Sequence, residues 1–183
     1  MQAEAGTTGS GVPQQRDRRR LVAACLAAVI AFPASLAGGR AAAQGEILLT
    51  LANPTLAAGS REIALTEADL LALPQVGIRT SNEFVTGRPL FEGPLARDVI
   101  ALIGRGSATR ALMIAANDFT VEIDLSEFDR YDVIFALRQD GRPLSRRDKG
   151  PIWVIYPMDD HPELQDPKFN NRLVWQLIRV ELR

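Results

Sequence analysis

The sequence is poor in the side chains that most often carry chemistry. It has one cysteine, Cys25, and one histidine, His161. Thiol nucleophiles, Cys/His metal shells and histidine-based triads need more than this. Outside Arg16-Asp17-Arg18-Arg19-Arg20 there is no basic run, which removes the electrostatic footprint of a nucleic-acid binder. The apolar run 21–32 is well short of the roughly 20 residues that span a bilayer. Gly104-Arg105-Gly106 lacks the spacing and the lysine of a phosphate loop. What remains is an ordinary globular composition. In 183 residues, 46% are hydrophobic and 23% charged, with a net charge of -1, which suits one domain with its own core.

The N-terminus reads as an export signal. A polar stretch, the arginine cluster, the apolar run 21–32 broken by Pro33, and small residues ending in Ala41-Ala42-Ala43-Gln44 follow in the order of a secretory signal peptide. Residues 1–43 are therefore expected to be removed after Ala43, with an uncleaved anchor as the rival reading. Val22-Ala23-Ala24-Cys25 looks like a lipoprotein box, but no apolar core precedes it. Arg18-Arg19-Arg20-Leu21 loosely resembles a twin-arginine signal, so the export route stays open. The expectation is a periplasmic protein with no membrane insertion after cleavage. Of the 21 basic and 22 acidic residues, five arginines and two acids lie in 1–43. Residues 44–183 thus carry 16 and 20, net -4, and no cysteine.

After Gln44 the pattern is mostly of period two. Strands are expected over 47–52, around Ile63 and Leu65, and over 76–84, 111–116, 120–125, 133–138, 152–156 and 173–182. Thr66-Glu67-Ala68-Asp69 is a helix start, and Pro74 a stop. A second short helix opens at Gly93-Pro94, with Leu95, Val99, Leu102 and Ile103 on one face and Gly104 at its end. Asn117-Asp118 and Asp140-Gly141 are turn signals. Residues 158–171 read as a polar loop. The sum is a single α+β domain, 44–183, with mixed, mainly antiparallel sheets and a few short helices.

Few residue groups could do chemistry. Asp159-Asp160-His161 is the one local metal candidate, weighed against a solvated loop before Pro162. His161 is also the only base available to a serine or threonine, and no nucleophile motif lies near it. A third group is aromatic. Trp153 and Tyr156 share an apolar strand entered from Lys149-Gly150-Pro151, and Trp175 stands beside Asn171 and Arg172. Rings next to amide, hydroxyl and guanidinium groups suit a flat heterocycle; on strands they equally suit a core.

From about residue 65 to the end, the order of signals resembles the oxidoreductase molybdopterin-binding domain, the sulfite-oxidase fold. The pieces are the strand ending in Arg79-Thr80-Ser81-Asn82, the helix after Phe91-Glu92-Gly93-Pro94-Leu95, and the turn at Ala115-Ala116-Asn117-Asp118-Phe119. Asp140-Gly141-Arg142-Pro143-Leu144, Gly150-Pro151-Ile152-Trp153-Val154-Ile155-Tyr156-Pro157 and the stretch 168–180 follow. Two departures matter. Thr80 stands, by order in the chain, where the family's enzymes hold molybdenum by a cysteine thiolate, and a hydroxyl is no soft ligand. Trp153 stands where the family has an arginine, and an indole binds no phosphate.

With the cysteine absent, the resemblance is to small exported pterin-binding sensors. It implies a non-catalytic periplasmic protein that binds a pterin without molybdenum. Its partner would be the periplasmic region of a membrane-bound enzyme of cyclic di-GMP metabolism. The rival it leaves open is a divergent molybdopterin-dependent oxidoreductase subunit; a bare protein-contact scaffold is a third. Under the leading reading Trp153 and Tyr156 stack on the ring. Arg79, Asn82, Asn117 and Asp118 read its edge, Thr80 and Ser81 form the pocket floor, and Lys149 or Arg172 meets a substituent. Trp153→Ala is expected to weaken binding and leave the domain folded.

Overall fold

The computed structural model describes residues 45–56 and 62–183. The signal-peptide reading of 1–43 lies outside the described residues. No helix among them is long and apolar enough to cross a membrane.

The chain's first and last strands meet at the centre of the largest sheet. Strand β1 (Ile47–Ala52) runs parallel to β11 (Leu177–Leu182), with Thr50 opposite Arg179. β2 (Glu62–Thr66) flanks β1 on one side, and β5 (Arg110–Ala115) and β6 (Thr120–Asp124) extend the sheet on the other. The order is β2-β1-β11-β5-β6, with every other pairing antiparallel. Alternation decides the faces. Ala111, Met113, Val180, Leu182 and Ile123 are buried in the main core, while Glu122, Arg179 and Glu181 face out. The hairpin between β5 and β6 turns at Asp118, whose φ is 66°, as Asn117-Asp118 suggests.

A second sheet of four short strands runs β3 (Gln75–Arg79), β4 (Leu90–Pro94), β8 (Arg138–Gln139), β9 (Arg142–Pro143), all antiparallel. Asp140 and Gly141, with φ of 49° and 74°, make the expected tight turn. Beneath lies a wholly buried pair, β7 (Ile134–Ala136) with β10 (Trp153–Ile155). Gly93 permits the close approach of β4 to β7, for a Cβ there would sit 2.1 Å from the Phe135 carbonyl oxygen.

Three helices are single short pieces. α1 (Glu67–Leu71) starts at the capping box read from Thr66 and Asp69: the Asp69 N–H donates to the Thr66 hydroxyl, and the Asp69 carboxylate accepts from the Thr66 N–H at 2.8 Å. α2 (Ala96–Ala101) buries Ala96, Val99 and Ile100 and stops before Leu102, which is exposed. α3 (Leu125–Arg130) has no counterpart in the sequence reading. It buries only Leu125 and Phe128, too little periodicity to stand out from the end of β6.

Three expectations change. The strand expected over 76–84 ends at Arg79, because Asn82 starts a turn by accepting the Phe84 N–H at 2.9 Å. The loop expected over 158–171 holds two 3-10 turns, Pro162–Gln165 and Pro167–Arg172, each opened by a proline. The last strand begins at Leu177 rather than 173, since Gln176 adopts a φ of 52°.

Trp153 is the largest correction. It is fully buried, edge-on to Phe91 at 5.2 Å between ring centres, and its indole N–H donates to the Leu173 carbonyl at 3.1 Å. It joins Ile78, Phe91, Ile134, Ala136 and Ile155 in a second small core. Its substitution is therefore a folding lesion and not the clean binding lesion that the sequence suggests. Trp153→Ala is expected to cost about 3–5 kcal/mol of unfolding free energy, the usual range for emptying a buried aromatic site. Denaturant melts of the variant check this; a loss under about 1 kcal/mol contradicts the packing role.

Candidate functional site

The second tryptophan lies where the first was expected. The strip 173–175 runs beside β10, with the Val154 N–H donating to the Val174 carbonyl at 2.8 Å and Trp153 bridging Trp175. Trp175 is only partly buried, and Phe84 stands edge-on to it at 4.8 Å. Together with Phe119 at the β5–β6 turn they wall a cleft of about 150 Å³. Asn117, Asn170 and Asn171 bring amides to it, and Ala115, Leu173 and Val174 complete the lining. No charged residue lines it.

The same local device aims both phenylalanines. Asn82 Oδ1 accepts the Phe84 N–H at 2.9 Å, and Asn117 Oδ1 accepts the Phe119 N–H at 3.2 Å. Each is an Asn-x-Phe turn in which the asparagine carbonyl folds the backbone back and leaves its own NH₂ for another partner. A more polar hollow of about 210 Å³ adjoins through Asn170, lined also by Ser81, Asn82, Glu83 and Gln165. The Asn82 Nδ2 is buried there with no hydrogen-bond partner in the protein, a donor left for something else.

Two carboxylates anchor the walls. Asp159 accepts the Ser81 hydroxyl at 2.6 Å, the Ser81 N–H at 3.0 Å and the Arg88 guanidinium, pinning the loop that carries Asn82 and Phe84. Burial pushes its pKa up, but the Ser81 bonds and Arg88 outweigh that and hold it below the ordinary value near 3.8. Glu127 pairs with Arg172 at 3.1 Å and accepts the Tyr156 hydroxyl at 3.0 Å, fixing the 3-10 turn that carries Asn170 and Asn171. Here burial dominates over Arg172 and Tyr156, and the Glu127 pKa is raised. Burial, then the Glu127 charge, pushes the Tyr156 phenol well above its ordinary value.

Of the residues singled out from sequence, Asn117 lines the cleft and Ser81 and Asn82 the hollow beside it. The others do not meet there. Tyr156 is fully buried as the Glu127 partner, so it offers no stacking face. Thr80 is fully buried rather than a pocket floor. Asp118 is exposed at the turn position where φ is positive, with its side chain outside the lining. Lys149 pairs with Asp148 at 3.1 Å and sits over the Trp153 ring. Arg172 is spent on Glu127, and Arg79 is exposed at the end of β3. Asp159 and His161 also part company, the latter lying against the Tyr131 ring. Phe84, Phe119 and Asn170 were missed; the repeated Asn-x-Phe of 82–84 and 117–119 was the available signal.

No protein-family model and no curated protein matches the chain. Among 28 solved chains that match is the sulfane dehydrogenase SoxCD of Paracoccus pantotrophus, at 15% identity and a TM-score of 0.53. The alignment covers 73% of this chain and 37% of that one, so the protein spans little over a third of its structural neighbour. The fold is sulfite-oxidase-like.

Within that fold, position 80 is the place the resemblance gives to the metal-binding thiolate. The Thr80 hydroxyl accepts the Asp159 N–H at 3.2 Å and donates to the Ser81 carbonyl at 3.2 Å, with no exposure. A hard oxygen already bonded on both sides does not fit a metal centre that depends on a soft sulfur ligand. The cleft also offers no cation to a phosphate.

Because Asp159 titrates low, its contribution to stability is complete above about pH 4 and is lost as pH falls through its depressed pKa. Asp159→Asn is expected to lower stability near pH 7 by roughly 1–3 kcal/mol, the usual scale for hydrogen bonds to a charged group. The two proteins converge as acid protonates the native carboxylate. Melts of both from pH 7 to 2.5 check this; parallel curves at all pH values contradict the clamp.

Proposed function

We propose that this protein is a non-catalytic binding module for a flat, uncharged heterocycle of the pterin class. The observation that carries the reading is the cleft itself: an indole and two phenyl rings, three asparagine amides and no charge. Aromatic walls favour a planar ring by stacking, and amides complement the mixed donor and acceptor edge of a pterin. A nucleophile paired with a base is missing from the lining, and so is a guanidinium fork. Binding, rather than bond making, is what such a surface does.

The wider setting follows from the resemblance and from the signal-like N-terminus. The protein is exported to the periplasm, and occupancy of its cleft is read by the periplasmic region of a membrane-bound enzyme of cyclic di-GMP metabolism. Sensing suits a domain whose site is preformed where a hairpin tip, a pinned loop and a fixed 3-10 turn meet.

Titration calorimetry and tryptophan fluorescence with oxidised and reduced pterins test the reading. Since Trp153 is sealed in the core, ring binding is expected to quench Trp175. Trp175→Ala is expected to lose about 5- to 150-fold in affinity, the worth of one stacked ring, and to fold normally. Absence of heat and quenching with every pterin tried overturns the proposal.

A further inference from the structure

Among the described residues, three that are not glycine hold a positive φ: Asp118 at 66°, Asp140 at 49° and Gln176 at 52°. The two aspartates sit in tight turns, where a short polar side chain tolerates that backbone. Gln176 is of neither kind. It stands between Trp175 of the cleft and Leu177, the first residue of β11. In an extended chain, residues two apart share a face. Here they part: Leu177 is sealed in the main core, while Trp175 packs half-buried against the second small core and lines the cleft. The left-handed backbone at Gln176 is what separates them.

Such a conformation persists where its surroundings over-determine it. The Gln176 N–H donates to the Lys149 carbonyl at 3.0 Å, and its side-chain NH₂ donates to the carbonyls of Arg146 and Asp148, both at 3.0 Å. Three carbonyls of one loop thus converge on one residue. The loop is itself closed, with the Gly150 N–H on the Ser145 carbonyl at 2.9 Å and Arg146 paired with Glu46 at 2.7 Å. On the other side the Gln176 carbonyl accepts the Ala116 N–H at 2.9 Å, at the root of the hairpin tip that carries Asn117 and Phe119. Gln176 therefore ties a loop and a hairpin to Trp175 without lining the cleft itself.

We propose that Gln176 is the positioning residue of the cleft. Its side-chain amide, gripped by the loop 145–149, holds the left-handed backbone that sends Trp175 to the cleft and leaves Leu177 in the core. An apolar side chain of equal length would bear the same steric cost at positive φ with no hydrogen bond to offset it. Glycine would bear no such cost. The role rests on the reading of the cleft as a ring site, but the placement of Trp175 can be measured without a ligand. Trp153 is fully buried, so acrylamide quenching of tryptophan emission reports Trp175.

The test uses the chain 44–183, acrylamide quenching, titration calorimetry with biopterin, and thermal melts to confirm folding. Gln176→Met keeps the length and removes both side-chain donors. It is expected to shift the quenching of Trp175 and to lose at least about tenfold in biopterin affinity, because a displaced wall misplaces the ring. Gln176→Gly loses the same two hydrogen bonds but has no Cβ to strain. It is expected to keep the parent's quenching and to stay within about threefold of its affinity. Equal losses in the two variants, or parental quenching and affinity in Gln176→Met, overturn the proposal. If Gln176→Met does not fold, Gln176→Gly and Gln176→Asn decide, both compatible with positive φ: affinity within about threefold supports the role, and a loss of about tenfold in either overturns it. If the parent binds no biopterin, the pterin reading falls by itself. A quenching shift in Gln176→Met without one in Gln176→Gly then still supports the positioning role, and its absence overturns it.

Discussion

The candidate site depends on one carboxylate. Asp159 gathers the hydroxyl and N–H of Ser81 and the guanidinium of Arg88, while its own N–H goes to the Thr80 hydroxyl. Four contacts across some 70 to 80 residues of sequence fix where β3 ends and how the next loop leaves it. That departure sets Phe84 against Trp175 and Asn82 in the adjoining hollow. Without the clamp, the cleft would lose one wall and the polar hollow the side formed by Ser81, Asn82 and Glu83. The same contacts use up the hydroxyl that occupies the place of the thiolate. Anchoring the loop and excluding a soft metal bond are, at this point, one arrangement.

Much of the fold was legible before the structure because the signals were local. The Thr66 capping box, the Asn117-Asp118 and Asp140-Gly141 turns and the alternation in β5 and β11 each depend on residues within a few positions of one another. The failures share the opposite property. Trp153 and Trp175 have similar neighbours in sequence, yet one is sealed against Phe91 and the other opens on a cleft. Only the packing of β4 over β7 and β10 decides which. Tyr156 was misread for the same reason, since Glu127, the acid that holds its hydroxyl, lies 29 residues away on a helix too short to announce itself.

The site residues read by analogy with relatives fared unevenly for a physical reason. A family pattern fixes positions along a chain, and position carries the backbone but not the side chain's surroundings. Asn82 and Asn117 lie at the hollow and the cleft because their side-chain carbonyls build the turns there. Arg172 and Lys149 failed because a charged side chain finds the nearest carboxylate, here Glu127 and Asp148. Arg79 failed by alternation: Ile78 faces the small core, so its neighbour must face solvent.

Charge in this molecule is kept out of the aromatic cleft. The aromatic cleft carries none, and its anchors, Asp159 and Glu127, are neutralised behind its walls by Arg88 and Arg172. A neutral slot with a preformed shape selects by ring geometry and hydrogen-bond pattern, and it avoids the desolvation cost that an unpaired ion would add. The cations without a carboxylate in ion-pair reach, Arg79, Arg138, Arg142 and Arg147, are exposed in the four-stranded sheet and the loop that follows it.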